Sequence, residues 1–499
     1  MEASMLEQLE PKQVFHYFEE ICKIPHGSGN TKQISDYLKG FAKERGLYCR
    51  QDEWNNIVII KEATSGYESH EPVILQGHMD MVAVKEADCT LDLEKDGLQL
   101  QILGDRLAAK KTSLGGDDGI SLALGLALLD GAEYHHPRLE LVFTVEEEVG
   151  MEGASALSVE DLTAKRMINL DQEEEGIFIA GCAGGARVDI QKGTSTEQRE
   201  GMLCKLEING LQGGHSGQEI NKERGNAICL MGRLLGVLQG KASVFLRELW
   251  GGTADNAIPS SCSASLVVTS GEGFHSQGKD FEEEIRIFLE KQIRGIQEEF
   301  QGKEKQIEVT FDILVGKDEE QAEKYEVCSL SDSRQWIHLL NAVPHGVIAN
   351  SVKMKGLVET SLNPGILRVT PQSGILSTSV RSSNQAAKEA LIGQLSSLAA
   401  LAGGTVGIRG DYPGWDFDPN SKLLAGMSEI YCQMYGEKPQ VEAIHAGLEC
   451  GLFFEKKPEL DSVSFGPDMK DIHTTDEKLS ISSVQRMWKY LLTILERIR

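Results

Sequence analysis

The sequence has no C-x-x-C pair, no long apolar run and no excess of basic residues. Its ten cysteines are scattered, which in a long chain favours reduced thiols in a reducing compartment. The longest apolar run, ISLALGLALLDGA, is shorter than the roughly 18 residues that a membrane helix needs. The first residues, MEASMLEQLEPKQVFHYFEEI, lack the basic-then-apolar pattern of a signal peptide. Together these absences predict a cytoplasmic protein.

Basic residues are outnumbered, because 50 Lys and Arg stand against 76 Asp and Glu, a formal net charge of −26. Phosphate binding needs a basic face, so this balance argues against a nucleic-acid partner and equally against an anionic membrane surface. An acidic balance mainly supports solubility and does not identify a substrate. The 499 residues, 40% of them hydrophobic and 25% charged, are typical of a globular protein and long enough for two domains.

The first part of the chain alternates helical and strand patterns. Apolar residues recur at helical spacing in PKQVFHYFEEICKI and TKQISDYLKGFAKERG, and DDGISLALGLALLDGA predicts a further helix. Short apolar runs at NNIVIIK, PVILQG, LELVFTV and RMINLD predict strands. This alternation predicts an α/β fold with a largely parallel mixed sheet flanked by helices, in which functional residues gather at the carboxyl ends of strands.

The pattern changes near residue 186 and changes back near residue 412. Residues 186–411 show two successive passes of strands and helices, which predict an α+β domain with two related halves, although no exact repeat supports the relation. After YPGWDFDPNSK, a helix, a short strand and a final helix resume the first pattern. We therefore predict one domain from residues 1–185 and 412–499, interrupted by an inserted domain at 186–411.

Acidic residues and histidines collect at five places in the predicted α/β domain. In GHMD, His78 and Asp80 share one face of a strand end, because alternate strand residues point the same way. The other places are a helix start (Asp117, Asp118), the end of one strand (Glu146, Glu147, Glu148), the end of another (Asp171) and a C-terminal loop (His473). Each place alone is equally typical of a structural role, such as a helix cap or a solvated turn.

Taken together, these side chains predict a catalytic metal site. Elements of one α/β domain could bring them to the same edge of the sheet. Imidazole and carboxylate donors without cysteine suit zinc, manganese or cobalt and argue against a structural zinc site. A bridging carboxylate suits a hydrolytic centre with two ions about 3.5–4 Å apart, and the run of glutamates supplies a general base.

A series of motifs resembles the di-zinc peptidases related to aminoacylase and glutamate carboxypeptidase. The motifs are GHMDMV, TSLGGDDGI, EEEVGMEGA, INLDQEEEG, GCAGG, GGHSG, DNAIP, HAGLECG and GPDMKDIHTTDE. Within that family they are most similar to the bacterial aminoacyl-histidine dipeptidases, also called Xaa-His dipeptidases or carnosinases. The resemblance implies hydrolysis of unblocked dipeptides, such as β-alanyl-histidine, with two divalent ions, zinc first and cobalt or manganese as alternatives.

The resemblance also implies roles for individual residues. The metal ligands would be His78 and Asp171 for one ion, Glu148 and His473 for the other, and Asp117 as the bridge. Asp80 would orient the imidazole of His78, and Glu147 would act as the general base. The three consecutive glutamates leave this assignment open by one residue, with Glu146 lacking a role. A cis peptide bond between Asp117 and Asp118 is implied as well.

For the inserted domain, the resemblance implies a lid that also forms a homodimer. His215, in LQGGHSG, would stabilise the oxyanion. Asn256 and Arg381 would bind polar groups of the substrate, Arg381 suiting a free carboxylate. The motif HAGLECG, with His445, Gly447 and Glu449, would lie at the substrate pocket, and His445 is the second choice as a metal ligand.

Other readings of the sequence stay open at this point. A deacylase or a tripeptidase of the same superfamily would share every metal ligand and differ only in its lid. A hydrolase acting on an ester or a carbamoyl group would use the same chemistry. A non-catalytic relative that keeps the fold as a binding module would usually have lost a ligand or the base, and here all are present.

Overall fold

The computed structural model describes residues 5–271, 279–315 and 323–498. The chain divides into two compact units. Unit 1 consists of Met1–Cys182, Trp415–Ala443 and Leu448–Arg499, and unit 2 of Ala183–Gly414 and Ile444–Gly447. The short second segment of unit 2 is a feature that the sequence patterns did not indicate. Within the ranges described, no helix is long and apolar enough to cross a membrane.

The helices and strands follow one another in three stretches. The first contains α1 (Lys12–Cys22), α2 (Lys32–Glu44), β1 (Tyr48–Gln51), β2 (Ile57–Lys61), β3 (Val73–His78), β4 (Leu100–Leu103), β5 (Arg106–Ala109), α3 (Gly116–Asp130), β6 (Leu139–Thr144), α4 (Glu152–Ala156), β7 (Arg166–Asn169) and β8 (Ile177–Cys182). The second contains β9 (Gly184–Gly193), β10 (Thr196–Arg199), β11 (Met202–Asn209), β12 (Gly214–His215), α5 (Ala227–Gln239), β13 (Ala242–Gly251), β14 (Ala257–Ile258), β15 (Cys262–Ser270), α6 (Lys279–Glu299), β16 (Glu308–Val315), β17 (Tyr325–Cys328), α7 (Leu330–Ala342), β18 (Gly346–Asn350), β19 (Val358–Val369), β20 (Ser373–Ser382), α8 (Gln385–Leu401) and β21 (Thr405–Tyr412). The third contains α9 (Lys422–Tyr435), β22 (Gln440–Ile444), α10 (Glu449–Lys456), β23 (Asp461–Ser464), β24 (Met469–Lys470), β25 (Lys478–Ser480) and α11 (Ile481–Arg497).

The main sheet of unit 1 has the order β1-β2-β6-β3-β7-β23-β8-β22. Its central strands β6, β3, β7 and β23 are parallel, whereas β1, β2 and β8 pair antiparallel with their neighbours. The predicted α/β class with a largely parallel mixed sheet flanked by helices is therefore confirmed. In register, His78 lies opposite Thr144, and Gln76 lies opposite Asn169. The carboxyl ends of β3, β6 and β7 thus share one edge.

Helix α3 packs between the sheet and α1, and this position explains its composition. Residues from Gly116 to Leu129 are buried on every side, so the helix is apolar all round rather than amphipathic. A Cβ atom at Gly125 would lie 2.7 Å from side-chain atoms of both Leu141 and Phe143. Glycine there lets the helix approach β6 closely, and this packing fixes the position of the loop that opens α3.

Unit 2 is built on a second sheet with the order β16-β11-β15-β13-β19-β20-β9-β21, and β18 pairs with β19. Its strand pairs are antiparallel. The two predicted passes of strands and helices join within this sheet through β13 and β19. Helices α5 and α7 pack on each other and on β13, and α8 packs on β9 and β20.

Candidate active site

The site of unit 1 forms where the parallel strands end. His78 is the last residue of β3, Glu147 and Glu148 come shortly after β6, and Asp171 lies two residues beyond β7. Because these strands are adjacent and parallel, their carboxyl ends place the side chains at one edge of the sheet. The loop that opens α3 brings Asp117 to the same edge, where its carboxylate contacts His78.

The two oxygens of Asp117 face two different pairs of side chains. Oδ1 lies 3.2 Å from Nε2 of His78, which is 3.5 Å from Oδ1 of Asp171. Oδ2 lies 3.1 Å from Nε2 of His473, which is 3.0 Å from Oε1 of Glu148. One carboxylate therefore joins two imidazole–carboxylate pairs. This is the arrangement that a bridging ligand between two cations requires.

The donor atoms also fit a metal centre by their chemistry and burial. Two overlapping groups have donor atoms within 4.8 Å of one another: His78 with Asp117 and Glu148, and His78 with Asp118 and Asp171. Oε1 of Glu148 is buried and, within the described part of the chain, makes no hydrogen bond, although His473 is close. Imidazole and carboxylate donor atoms grouped this closely are expected of ligands to one ion.

The start of α3 is irregular where it enters the site. The peptide bond between Asp117 and Asp118 is cis, as the resemblance predicts. Oδ2 of Asp118 accepts a hydrogen bond of 3.2 Å from the main-chain N–H of His78. The sequence motif left Asp118 without a role, and the structure places it as a fully buried contact of the strand that carries His78.

Asp80 connects His78 to the turn that carries the glutamates. Nδ1 of His78 lies 2.8 Å from the main-chain oxygen of Asp80 and 3.6 Å from its carboxylate. Because a carbonyl oxygen can only accept, Nδ1–H donates a hydrogen bond to it, and Nε2 is left to bind a metal. The Asp80 carboxylate accepts hydrogen bonds from the N–H of Glu147 at 3.1 Å and of Glu148 at 3.4 Å. The hydroxyl of Ser28, which sequence reasoning missed, donates to it at 2.8 Å.

The structure separates the three consecutive glutamates. Glu146 has a φ of 58°, and its carboxylate accepts hydrogen bonds of 2.9 and 3.0 Å from the N–H of Gly29. Glu148 lies beside His473. Burial raises the pKa of Glu147 to about 8; the nearby His78 opposes this shift, and Asp171 and Glu148 add to it. Among the residues that the structure describes, Glu147 is thus the one of the three whose carboxylate has no hydrogen-bond or ion-pair partner, and it is the one predicted to transfer protons.

The pKa of the histidine in the C-terminal loop is raised as well, but for a histidine this shift favours the charged form. Hydrogen bonds with the Asp117 and Glu148 carboxylates raise the pKa of His473 to about 10, although burial opposes them. Burial also raises the pKa of Asp171 to about 7. These buried carboxylates repel one another and attract positive charge, so a bound divalent cation would favour their ionised form.

Glu477 is the last residue of the motif GPDMKDIHTTDE, but the sequence analysis gave it no role. Its carboxylate is 3% exposed and accepts hydrogen bonds from four successive main-chain N–H groups. The donors are Leu114 (2.7 Å), Gly115 (3.1 Å), Gly116 (2.8 Å) and Asp117 (3.3 Å). Because Glu477 follows His473 by four residues, one side chain links the loop of the bridging carboxylate to the loop of the second histidine. The motif contains Glu477, but nothing in it indicates the main-chain N–H groups from which the carboxylate accepts hydrogen bonds.

We expect Glu477→Gln to lower divalent-metal affinity by about 10- to 100-fold, the usual cost of losing a partner outside the ligand shell. Glutamine presents one acceptor oxygen and turns an NH₂ group toward N–H donors, so the loop holding Asp117 loosens. Competition with a chelator measures the affinity, and the control is Asp476→Asn, an exposed neighbour. Equal affinities for the two variants would remove Glu477 from the metal site.

Glu449, predicted to bind substrate, belongs to unit 1 and is 1% exposed. Its Oε2 accepts hydrogen bonds from Nε2 of Gln76 at 2.5 Å and from the hydroxyl of Thr144 at 2.6 Å. Oε1 of Gln76 in turn accepts from Asn169 at 2.6 Å. This network ties together the ends of β3, β6 and β7 under the metal-ligand candidates. Burial, followed by the nearby Glu147, raises the pKa of Glu449 to about 8.

In unit 2, His215, predicted to stabilise the oxyanion, and the predicted substrate residues Arg381 and His445 meet around Gly217. A Cβ atom there would lie 2.6 Å from the main-chain oxygen of His445, 3.1 Å from Cε1 of His215 and 3.2 Å from Nε of Arg381. His445 Nε2 is 2.7 Å from the hydroxyl of Ser361. Burial, with Arg381 adding to it, lowers the pKa of His445 to about 3 and lowers that of His215 as well. The two rings are therefore neutral, and Arg381 carries the charge of this cluster.

The remaining predicted substrate residues also lie in unit 2. Asn256 is exposed, and its main-chain oxygen accepts a hydrogen bond of 2.8 Å from the N–H of Ser216, which follows His215. Gly447 ends the short segment Ile444–Gly447 that also carries His445. Asn256 and Gly447 therefore belong to the same unit as the cluster around Gly217.

Comparisons with known proteins agree with this description. The profile of "Peptidase family M20/M25/M40" matches residues 74–497. The chain is 37% identical over 501 residues to the cytosol non-specific dipeptidase of Escherichia coli (strain K12), covering 99% of each protein. It is similar to the crystal structure of aminoacylhistidine dipeptidase from Vibrio alginolyticus, with a TM-score of 0.92, 34% identity and coverage of 100% of this chain and 99% of that one. A tripeptidase from Staphylococcus aureus, with a TM-score of 0.54 and 16% identity over 98% of this chain and 99% of its own, shares the fold.

Proposed function

The chain belongs to peptidase family M20/M25/M40, and from that premise we propose that it is a metal-dependent dipeptidase acting on unblocked dipeptides. The observation that carries the proposal is the carboxylate of Asp117, whose two oxygens face separate imidazole–carboxylate pairs. The names of two full-length relatives, a non-specific dipeptidase and an aminoacylhistidine dipeptidase, support a dipeptide substrate. One of them names aminoacyl-histidine, which supports Xaa-His peptides such as β-alanyl-histidine as favoured substrates.

The donor set would fit two divalent cations: His78 and Asp171 would hold one, Glu148 and His473 would hold the other, and Asp117 would be the bridging ligand. Zinc suits imidazole and carboxylate donors, and cobalt or manganese would also fit. When bound, such cations supply an activated water and polarise the scissile carbonyl. This is the chemistry that peptide hydrolysis needs.

The residues of the chain would then move and hold protons. Glu147 takes a proton from the attacking water and passes it to the leaving amine. Its raised pKa supports this role, and so does the absence of a hydrogen-bond or ion-pair partner for its carboxylate within the described ranges. Asp80 keeps the ring proton of His78 on Nδ1 through its main-chain oxygen and holds the turn of Glu147 through its carboxylate. Both contacts keep the base and the first histidine in fixed positions.

Unit 2 would bind the substrate and act as the lid. Nε of Arg381 is buried and, among the described residues, has no hydrogen-bond partner, which supports pairing with the C-terminal carboxylate of a dipeptide. We assign oxyanion stabilisation to His215, and contacts with substrate polar groups to Asn256, His445 and Gly447. A direct substrate contact by Glu449 stays a prediction. So do the homodimer through unit 2, which light scattering in solution tests, and the cytoplasmic location.

The test of the function is a substrate panel with metal-reconstituted protein. We expect hydrolysis of unblocked dipeptides, including β-alanyl-histidine and other Xaa-His peptides, and little hydrolysis of matched N-acetyl amino acids or tripeptides. Release of free histidine separates peptide cleavage from attack on another bond. Turnover of the acetylated substrates alone would instead identify a deacylase with the same metal site.

A further inference from the structure

The motif GCAGG has no role in the function proposed above, and its last residue, Gly185, lies opposite Arg381 in the sheet of unit 2. Gly185 is on β9, between β20 and β21. It pairs with Arg381 on the β20 side and with Tyr412 on the β21 side. The three residues therefore form a row across neighbouring strands. Because glycine has no side chain, the side chains of its two neighbours can meet over β9.

The side chain of Tyr412 crosses β9 at this glycine and reaches Arg381. A Cβ atom at Gly185 would lie 2.5 Å from the hydroxyl oxygen of Tyr412 and 2.7 Å from its Cζ. Nη1 of Arg381 donates a hydrogen bond of 3.2 Å to that hydroxyl. Any side chain at position 185 would displace the phenol ring, so this contact requires glycine between the two residues.

The main chain of Tyr412 is held from α8. Its carbonyl oxygen accepts a hydrogen bond of 2.6 Å from Nζ of Lys388, which is also 2.5 Å from Oδ1 of Asp411. Lys388 is 1% exposed, and a buried ammonium group keeps the acceptors that compensate its charge. The ring of Tyr412 therefore approaches Arg381 from a fixed position.

The contact with Tyr412 decides which edge of the Arg381 guanidinium can bind a ligand. Nη1 is occupied, whereas Nε is buried and has no hydrogen-bond partner among the described residues. Nε and Nη2 direct their N–H bonds the same way and form a fork that pairs with both oxygens of a carboxylate. Nε is the atom of this side chain nearest to the Cβ position at Gly217, where His215 and His445 also meet. The fork thus lies at the predicted substrate residues.

We propose that Tyr412 is a positioning residue that orients Arg381 to pair with the C-terminal carboxylate of the substrate, and that Gly185 makes this contact possible. The inference rests on the proposed dipeptidase function, in which Arg381 binds that carboxylate. Ordering a free arginine side chain on binding costs affinity, and the bond to Tyr412 removes part of that cost in advance. The oriented fork favours peptides that end in a free carboxylate over those that end in an amide.

The experiment compares alanyl-histidine with alanyl-histidinamide, which differ in the C-terminal carboxylate. The variant Tyr412→Phe removes one hydroxyl, and the control Tyr325→Phe removes that of another tyrosine of unit 2, whose partner is Glu323. We expect Tyr412→Phe to raise the KM for alanyl-histidine by about 3- to 10-fold and to leave kcat within about twofold, because carboxylate binding is the same before and during the reaction. The inhibition constant of the amide stays within about twofold of the wild-type value, and the control changes none of these constants.

Gly185→Ala tests the same contact from the opposite strand. Its Cβ atom would displace the ring of Tyr412, so the KM for alanyl-histidine should rise at least as much as with Tyr412→Phe. The amount of bound metal, measured by mass spectrometry, should stay at the wild-type level in both variants, since both changes lie in unit 2.

Two results would overturn the inference. An equal loss of affinity for the acid and the amide would give Tyr412 a structural role only. No change in either constant would mean that Arg381 binds the carboxylate without help from Tyr412. Failure of the proposed function looks different, because the wild-type protein itself would then cleave no unblocked dipeptide, or would bind the acid and the amide equally well.

Discussion

Glu147→Gln is expected to lower kcat for dipeptide hydrolysis by about 10²- to 10⁴-fold, the usual contribution of a general base. The substitution keeps the size of the side chain and removes its ability to accept a proton. It leaves the contacts of Asp117 with His78 and His473 intact. We therefore expect the variant to retain both metal ions, as measured by mass spectrometry, while steady-state kinetics with an unblocked dipeptide show the loss.

The matched control for Glu147 is Glu146→Gln, the preceding residue in the same turn. Its carboxylate accepts hydrogen bonds from the N–H of Gly29, and glutamine can still accept there, so kcat should stay within a few-fold of the wild-type value. This pair also tests the register of the three glutamates. If the large loss appears with Glu146→Gln, the assignment of base and ligand is shifted along the turn.

Much of the fold could be predicted because local patterns report burial. The runs PVILQG, LELVFTV and RMINLD are buried strands, and alternating helices between them predict parallel neighbours. The antiparallel pairing of β1, β2 and β8 could not be predicted, since a short apolar run specifies neither its partner nor its direction. The same holds for Ile444–Gly447, whose place in unit 2 depends on contacts distant in sequence.

Some residues of the candidate site could be predicted from the sequence, and others could not. Side chains such as His78 and His473 can be proposed from sequence, because a ligand must be a donor residue of recognisable type in a motif. Glu477 acts by accepting hydrogen bonds from main-chain N–H groups some 360 positions away, and any residue type except proline could supply those donors. The bond between Glu449 and Gln76 likewise spans 373 positions. Such support follows from the tertiary structure, and no local pattern encodes it.

Asp117→Asn is expected to reduce the bound divalent metal from two ions to at most one and to abolish most activity. The two oxygens of Asp117 face different histidines, and asparagine offers one oxygen and an NH₂ group that cannot bind a cation. Losing a bridging ligand should cost more than the roughly 10- to 100-fold that the loss of an outer partner costs. Metal titration of chelator-treated protein, with kcat measured on the same samples, gives both quantities.

Asp118→Asn is the matched control for that loss, because Asp118 is the next residue, is also an aspartate and is fully buried. Its Oδ2 accepts a hydrogen bond from the N–H of His78. The side-chain oxygen of asparagine can accept the same hydrogen bond, so both ions and most activity should remain. The comparison is sharp because Asp118 also lies within 4.8 Å of His78 and Asp171 in a possible donor group. If Asp118→Asn loses the metal and Asp117→Asn does not, the bridge is the second aspartate. The metal ligands proposed around His78 would then have to be reassigned.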